Sequence, residues 1–441
     1  MFNKIKFIIN CNLIFCCLSV AIFSSCEQVL SNMPGNGNNN PNLGDVNADL
    51  QISFDPSELR QEVKFGADAK LSLKGYAEGN TDQVSQRMFD EMDLTMFRIP
   101  IYAMRQADDP FYENLVKVMK SAKAVNPDIK FFASVANGDG DENNNLHNAD
   151  KFPPSMMGCC PNNVYNLNLT AYARRIDQYL QMLEDNDLYV DYLGPFNEDP
   201  ASSEDYRRVF VQMEKLGDIK RVGLETWALQ AGINRVESVQ DQLDIVGSHI
   251  YDDDNIPKSQ WDAKWAELVQ KSTRPVWHTE ATRYRTNDNI TNLVDGMANI
   301  IPAIRGGVEY VHFYQTTRRI VYFNGGVQPY KFSGFKTLVN SATGKHVASS
   351  NSTDVDVMST VFVDDEVASL HIINTSEMEK TASLKIEGGF YSLKPVRETL
   401  WDEDNLETTT ERSLGQRKSP NEWNVVLPAN SYMHIEIPLK D

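Results

Sequence analysis

The chain has 441 residues, 41% of them hydrophobic and 23% charged, with a formal net charge of −19. That composition fits one large domain with one small domain and excludes a disordered or fibrous protein. The acid excess argues against a nucleic-acid partner, and its plain meaning is a solvated surface.

Residues 1–25 have a basic start, an apolar stretch and small residues before Cys26 (MFNKIKFIINCNLIFCCLSVAIFSSC), the layout of a secretion signal. Phe23-Ser24-Ser25-Cys26 resembles a loose bacterial lipobox, in which the cysteine is acylated. The polar stretch 26–48 then reads as a flexible tether. The expectation is an exported bacterial outer-membrane lipoprotein, a monomer that touches the membrane through its lipid anchor. An ordinary cleaved signal with a disordered N-terminus is the rival. Beyond the signal and Cys26 only Cys159 and Cys160 remain, which is no disulfide scaffold. They are expected as separate thiols in a loop rather than as a strained vicinal bridge.

From residue 61 to 335 short β-rich runs alternate with amphipathic segments, the pattern of β-α units around a parallel sheet. The runs are 62–67, 96–102, 129–135, 190–197, 221–228, 244–251, 275–281 and 310–316. Eight closes a (β/α)8 TIM barrel. Helices are expected at 111–125, 169–186, 202–217, 261–272 and 290–304, where apolar residues recur every three or four positions. An open doubly wound sheet would want a glycine-rich phosphate turn after the first strand, and Phe65-Gly66-Ala67-Asp68-Ala69 supplies none.

After residue 335 short strands take over, so 336–441 reads as a β-sandwich. The strand-like LQISFDP, within the segment 49–60, is expected to join that sandwich from the N-terminal side. The overall class is α/β, with a TIM barrel and an appended all-β domain.

Active sites of such barrels form at the carboxyl ends of the strands. The fourth run leads into Asn197-Glu198-Asp199-Pro200, the seventh into Thr279-Glu280-Ala281 and the sixth into Ser248-His249-Ile250-Tyr251. Glutamates on strands four and seven would face each other across the barrel mouth, one to donate a proton and one to attack a sugar. There is neither a His-Glu-x-x-His run nor a Cys-x-x-Cys pair, so no metal and no organic cofactor is expected.

These residues resemble the retaining glycosidases of clan A, and within it glycoside hydrolase family 30. The resemblance spans roughly residues 50–441. It rests on the initial FGA, the RIPI second strand (Arg98 to Ile101), the NEDP turn, the His-x-Tyr sixth strand, Thr-Glu-Ala on the seventh, and a sandwich built from both chain ends. The chain departs from the family at Ile250, where a tryptophan is usual, and in the third-strand loop, replaced here by SVANGDGDENNNLHNADKFPPSMM. The resemblance implies Glu198 as acid/base and Glu280 as nucleophile. It implies that Asn197 binds the sugar 2-hydroxyl and that Arg98 and Tyr251 hold Glu280 ionised and oriented. Elementary electrostatics agrees, since a cation and a phenol beside a carboxylate favour its charged form. The bland readings are a salt bridge across the barrel for Arg98 and packing for Tyr251.

Tyr102, Trp227, Trp277, Tyr284 and Tyr314 stand near strand ends. Trp227 and Tyr314 are taken as sugar-stacking residues, and Trp277 as packing. His249 is placed at the substrate, with a satisfied core histidine as the alternative. The polar insertion 137–148 reads as a substrate loop rather than a calcium turn. The function expected is retaining hydrolysis of a β-glycosidic bond in a β-glucan, β-galactan or xylan-like polysaccharide. A surface glycan-binding lipoprotein on a catalytically decayed barrel, or a lyase, are the alternatives.

Overall fold

The computed structural model describes residues 47–140, 145–251, 255–282 and 286–439. The signal, Cys26, most of the tether, Tyr284 and part of the 137–148 insertion lie outside the described residues. Among those described, no helix is long and apolar enough to cross a membrane.

The eight expected runs form eight parallel strands: β2 (Lys64–Asp68), β3 (Met96–Ile101), β4 (Lys130–Val135), β5 (Tyr192–Gly194), β6 (Lys220–Thr226), β7 (Ile245–Ser248), β8 (Val276–Ala281) and β9 (Tyr310–Phe313). They pair in sequence order and close through β9 onto β2, where Lys64 sits opposite Tyr310. Apolar side chains of six strands, Met96, Phe132, Val222, Ile245, Trp277 and Tyr310, fill the barrel floor as one cluster. Trp277 therefore packs, as expected, although it does so inside the barrel.

The five expected helices appear as Tyr112–Val125, Leu169–Glu184, Ser203–Gln212, Trp261–Lys271 and Ile290–Arg305. Their starts follow local chemistry. Asn168 and Asn289 accept from backbone N–H groups three residues on, and Ser202 forms a reciprocal capping box with Asp205.

The helix Pro329–Ala342 runs through the boundary expected at 335, and the β domain begins at β10 (His346–Ser352). It continues with β11 (Val357–Val363), β12 (Val367–Asn374), β13 (Lys380–Ile386), β14 (Val396–Trp401), β15 (Thr408–Arg412), β16 (Glu422–Leu427) and β17 (Ser431–Pro438). With β1 (Leu50–Glu62) these make one nine-stranded sheet, ordered β15-β14-β17-β12-β11-β10-β1-β13-β16. β1 is the hinge of that order, antiparallel to β10 and parallel to β13. Its buried Leu50, Ile52 and Phe54 enter a core shared with side chains from both flanks of the sheet.

The other face of the sheet belongs to the barrel. Phe362, Ile373, Trp401 and Tyr432 join the barrel's own core, and Trp401 Nε1 donates to Ser333 Oγ at 2.8 Å. Barrel and sheet thus share a continuous apolar contact. Cys159 and Cys160 are joined in a vicinal disulfide, which corrects the expectation of separate thiols.

Candidate active site

A cleft of about 400 Å³ opens at the carboxyl ends of the strands, and Glu198, Glu280, Asn197, Trp227 and Tyr314 all line it. Glu198, Glu280 and His249 each place one side-chain ligand atom within 4.8 Å of those of the other two. The expected pair of carboxylates is therefore brought together.

Backbone irregularity aims these groups. Glu198 follows β5 at a φ of 61°, a conformation that an L residue holds only at a cost, and its N–H donates to Glu225 O at 3.0 Å. β8 shifts register against β9 between His278 and Ala281. Below the shift Trp277 faces the barrel interior, and within it Glu280 reaches the mouth.

Glu280 is 3% exposed and sits between two cations. Arg98 Nη1 donates to its Oε1 at 2.6 Å, Lys70 Nζ lies 3.2 Å from the same oxygen, and Tyr251 OH donates to Oε2 at 3.3 Å. Burial alone would raise its pKa. The charges of Lys70 and then Arg98 outweigh that effect and hold the carboxyl well below the usual range.

Glu198 has a different setting. Its Oε1 meets His249 Nε2 at 2.9 Å, and its Oε2 accepts from Asn137 Nδ2. His249 is in turn oriented by Thr279 Oγ1 at 3.2 Å, so it touches the candidate acid rather than standing as an isolated core histidine. Among the described residues its charged partner is His249, not an arginine or lysine.

Arg98 is the centre of the site. It is fully buried, and besides Glu280 it reaches Asp68 Oδ2 at 3.1 Å, Asn197 Oδ1 at 3.0 Å, Ser134 Oγ at 3.2 Å and the Glu225 carboxylate. The cross-barrel ion pair and the contact with Glu280 are thus both present. Arg98 takes the oxygen of the Asn197 amide, and Asn197 lines the cleft. Trp227 packs against Tyr251 with centroids 4.7 Å apart and the rings tilted by 41°, and the Arg319 guanidinium lies 4.9 Å over the Tyr314 ring. Tyr102 does not reach the cleft. It is buried, and its OH donates to Lys70 O at 2.7 Å.

The trio Glu198, His249 and Glu280 is the group among the described residues with the spacing to hold a metal ion. Lys70 and Arg98 already occupy one oxygen of Glu280, so a further cation there would be repelled.

No protein-family model matches the chain, and no curated protein does. Solved structures do. A GH30 endoxylanase from Clostridium papyrosolvens C71 superposes with a TM-score of 0.65 at 15% identity, over 88% of this chain and 100% of that one. The likeness is one of fold, a barrel with an appended β domain. The family 30 subfamily 8 xylanase Xyn30A from Clostridium acetobutylicum gives 0.64 at 15% identity, over 88% of this chain and 99% of that one. The endo-beta1,6-glucanase BT3312 gives 0.56 at 14% identity, over 88% and 94%.

Around this site the structure adds residues that the sequence did not single out. Lys70 and Asp68 follow the first strand, and Glu225 sits inside the fifth. A register shift between β6 and β7 puts Leu224 and Glu225 at φ values of 68° and 38° and turns Glu225 inward. Gly247 leaves it room, since a Cβ there would sit 2.9 Å from Glu225 Cγ. Lys151 is buried and holds Asn137 Oδ1 at 2.9 Å, Asn197 O at 2.6 Å and Asp199 Oδ1 at 2.9 Å. The described part of the insertion reaches the cleft through Asn137, Asn145 and His147.

Proposed function

We propose that this protein hydrolyses a β-glycosidic bond in a polysaccharide with net retention, Glu280 attacking and Glu198 acting as acid and then base. The observation that carries this reading is that each of the two carboxylates places an oxygen within 4.8 Å of one of the other's across the cleft. Retaining pairs stand ~5 to 5.5 Å apart, whereas inverting pairs need ~6.5 to 9.5 Å to admit a water. The paired cations on Glu280 suit a nucleophile, and the Asn197 amide, fixed by Arg98, suits a sugar hydroxyl. Trp227 and Tyr314 supply ring faces for the sugar. A binding module on a decayed barrel would not need two carboxylates on one bond.

The substrate class is a β-glucan, a β-galactan or a xylan-like chain. Solved structures of like fold include two xylanases and an endo-beta1,6-glucanase, which supports that range. A panel of defined polysaccharides, with proton NMR of the first product, tests the proposal. The newly formed reducing end is expected to be the β-anomer. An α-anomer as first product, or an unsaturated product absorbing in the near ultraviolet, would overturn it.

We further propose acylation of Cys26 and attachment to the bacterial outer membrane, on the basis of the signal-like N-terminus and the polar tether. Cys26→Ala should move the protein from the membrane to the soluble fraction, and unchanged partitioning would remove the anchor.

A further inference from the structure

Of the two cations on Glu280, Arg98 is committed to several acceptors at once, as described above. Lys70 is different. It is 1% exposed, yet its ammonium pairs with Glu280 Oε1 at 3.2 Å and donates to Val135 O at 3.4 Å. Both contacts are longer than the ~2.7 to 2.9 Å of a tight charge-assisted bond. Its main chain is fixed, because Lys70 N–H donates to Asp68 Oδ1 at 3.1 Å and Lys70 O accepts from Tyr102 OH. An apolar side chain of similar length would fill this space without the cost of burying an ammonium. The charge therefore calls for a reason, and Glu280 is the carboxylate it touches.

We propose that Lys70 is a positioning residue acting through Glu280: it keeps the carboxylate ionised before attack and makes it a better leaving group when the glycosyl ester is hydrolysed. The inference rests on the retaining reading. Both cations converge on Oε1, so Oε2, held by Tyr251 OH, is the oxygen that attacks. In the first step Oε2 bonds to the anomeric carbon, the bond to the leaving oxygen breaks, and Glu198 gives that oxygen its proton. In the second, water bonds to the anomeric carbon, Glu198 takes a proton from it, and the electron pair of the C–Oε2 bond returns to Glu280.

Between the steps Glu280 carries no charge. Lys70 and Arg98 then share a neutral ester, and Asp68 and Glu225 are the remaining carboxylates of the network. The charged groups facing Lys70 are Arg98 from β3, Glu280 from β8, Glu225 from β6 and Asp68 from the end of β2. Esterification removes one of its three anionic neighbours and leaves its cationic one. The ester is thereby raised in energy relative to the free carboxylate, so breaking it is favoured.

The test uses 2,4-dinitrophenyl β-glycosides of glucose, galactose and xylose, whose leaving group needs little protonation. With these, kcat reports ester hydrolysis, while kcat/KM reports attack. Lys70→Met is expected to lower kcat by about three- to tenfold with kcat/KM held or raised, since about one pKa unit corresponds to a factor of ten. The acid limb of kcat/KM should move up by about one pH unit, and more glycosyl-enzyme should appear by intact mass after rapid quenching. Lys70→Arg should restore the original limb.

An unmoved limb and an unchanged kcat in a folded Lys70→Met overturn the proposal. Should that variant not fold, the unaltered protein still decides. Labelling of Glu280 by a cyclitol epoxide should persist well below the ordinary carboxylate range, and a fall with the pKa of a common glutamate overturns it. Glu280→Ala separates the two levels: turnover retained there defeats the retaining reading, whereas turnover lost there with an unmoved limb in Lys70→Met defeats the role of Lys70 alone.

Discussion

Glu280→Ala is expected to lose turnover on every substrate, by on the order of 10⁴-fold or more, because no other group can form the glycosyl ester. Its place at the cleft between Arg98, Lys70 and Tyr251 leaves no neighbouring carboxylate able to substitute: Glu225 is fully buried against Arg98, and on the proposed mechanism Glu198 is the acid. Glu198→Ala should behave differently. On a polysaccharide it should lose about 10²- to 10⁴-fold, the usual range for a positioned acid, and on a 2,4-dinitrophenyl glycoside attack should be nearly unaffected. Azide then separates the roles. In Glu198→Ala it attacks the glycosyl-enzyme and yields a β-glycosyl azide, while in Glu280→Ala it occupies the vacated space and yields an α-glycosyl azide. The same anomer from both variants, or turnover of Glu280→Ala without azide, would end the double-displacement account.

What the sequence disclosed, and what it did not, follows from the range of the interactions involved. All eight barrel strands are readable, because a strand buried on both faces must be apolar along its length, and the intervening helices show their buried stripe. β10 and β15 are not readable. His346–Ser352 is polar and half-exposed, and Thr408–Arg412 is an exposed edge. The helix Pro329–Ala342 is obscured by Gly334, Ser333, Thr337 and Asn340, all weak helix formers. Packing overrides them: Phe335 and Leu338 are fully buried, and Gly334 lies so close to Leu293 that a Cβ would sit 2.6 Å from its Cδ1.

The site divides in the same way. Glu198, Glu280 and Tyr251 stand at or just past strand ends where chemistry is expected, so position marks them, whereas Arg98 lies inside β3 and is marked by the family resemblance. Lys70 and Lys151 lie in loops, and their partners are set only when the barrel closes. Glu225 did leave a signal, because a carboxylate inside the apolar run RVGLETWA must find a buried partner. The sequence does not say that Arg98, 127 residues earlier by hydrogen-bond separation, is that partner.

Replacing Arg98 by methionine is expected to destabilise the fold by roughly 3 to 5 kcal/mol at neutral pH, the cost of removing one partner from a buried charge network. Arg98 is completely buried and pairs with Asp68, Glu225 and Glu280 together. Without it three carboxylates face Lys70 alone. The sign of the pH dependence follows from the two carboxyls that move in opposite directions. In the unaltered protein Glu280 is held below its unfolded value, so it contributes stability above about pH 4 that is lost on acidification. Asp68 is raised by burial, against the pull of Arg98 and Lys70, and it opposes that trend. Removing Arg98 lifts both folded values, so the variant takes up protons on folding that the parent does not. Its deficit should therefore be largest near pH 7 and shrink as the pH falls toward about 4.5. Urea unfolding of both proteins at the two pH values measures this directly. Adding Glu225→Gln to the variant should recover part of the loss, since one of the stranded charges is then gone. A deficit independent of pH, or no recovery in the double variant, would show that Arg98 contributes by packing rather than by charge.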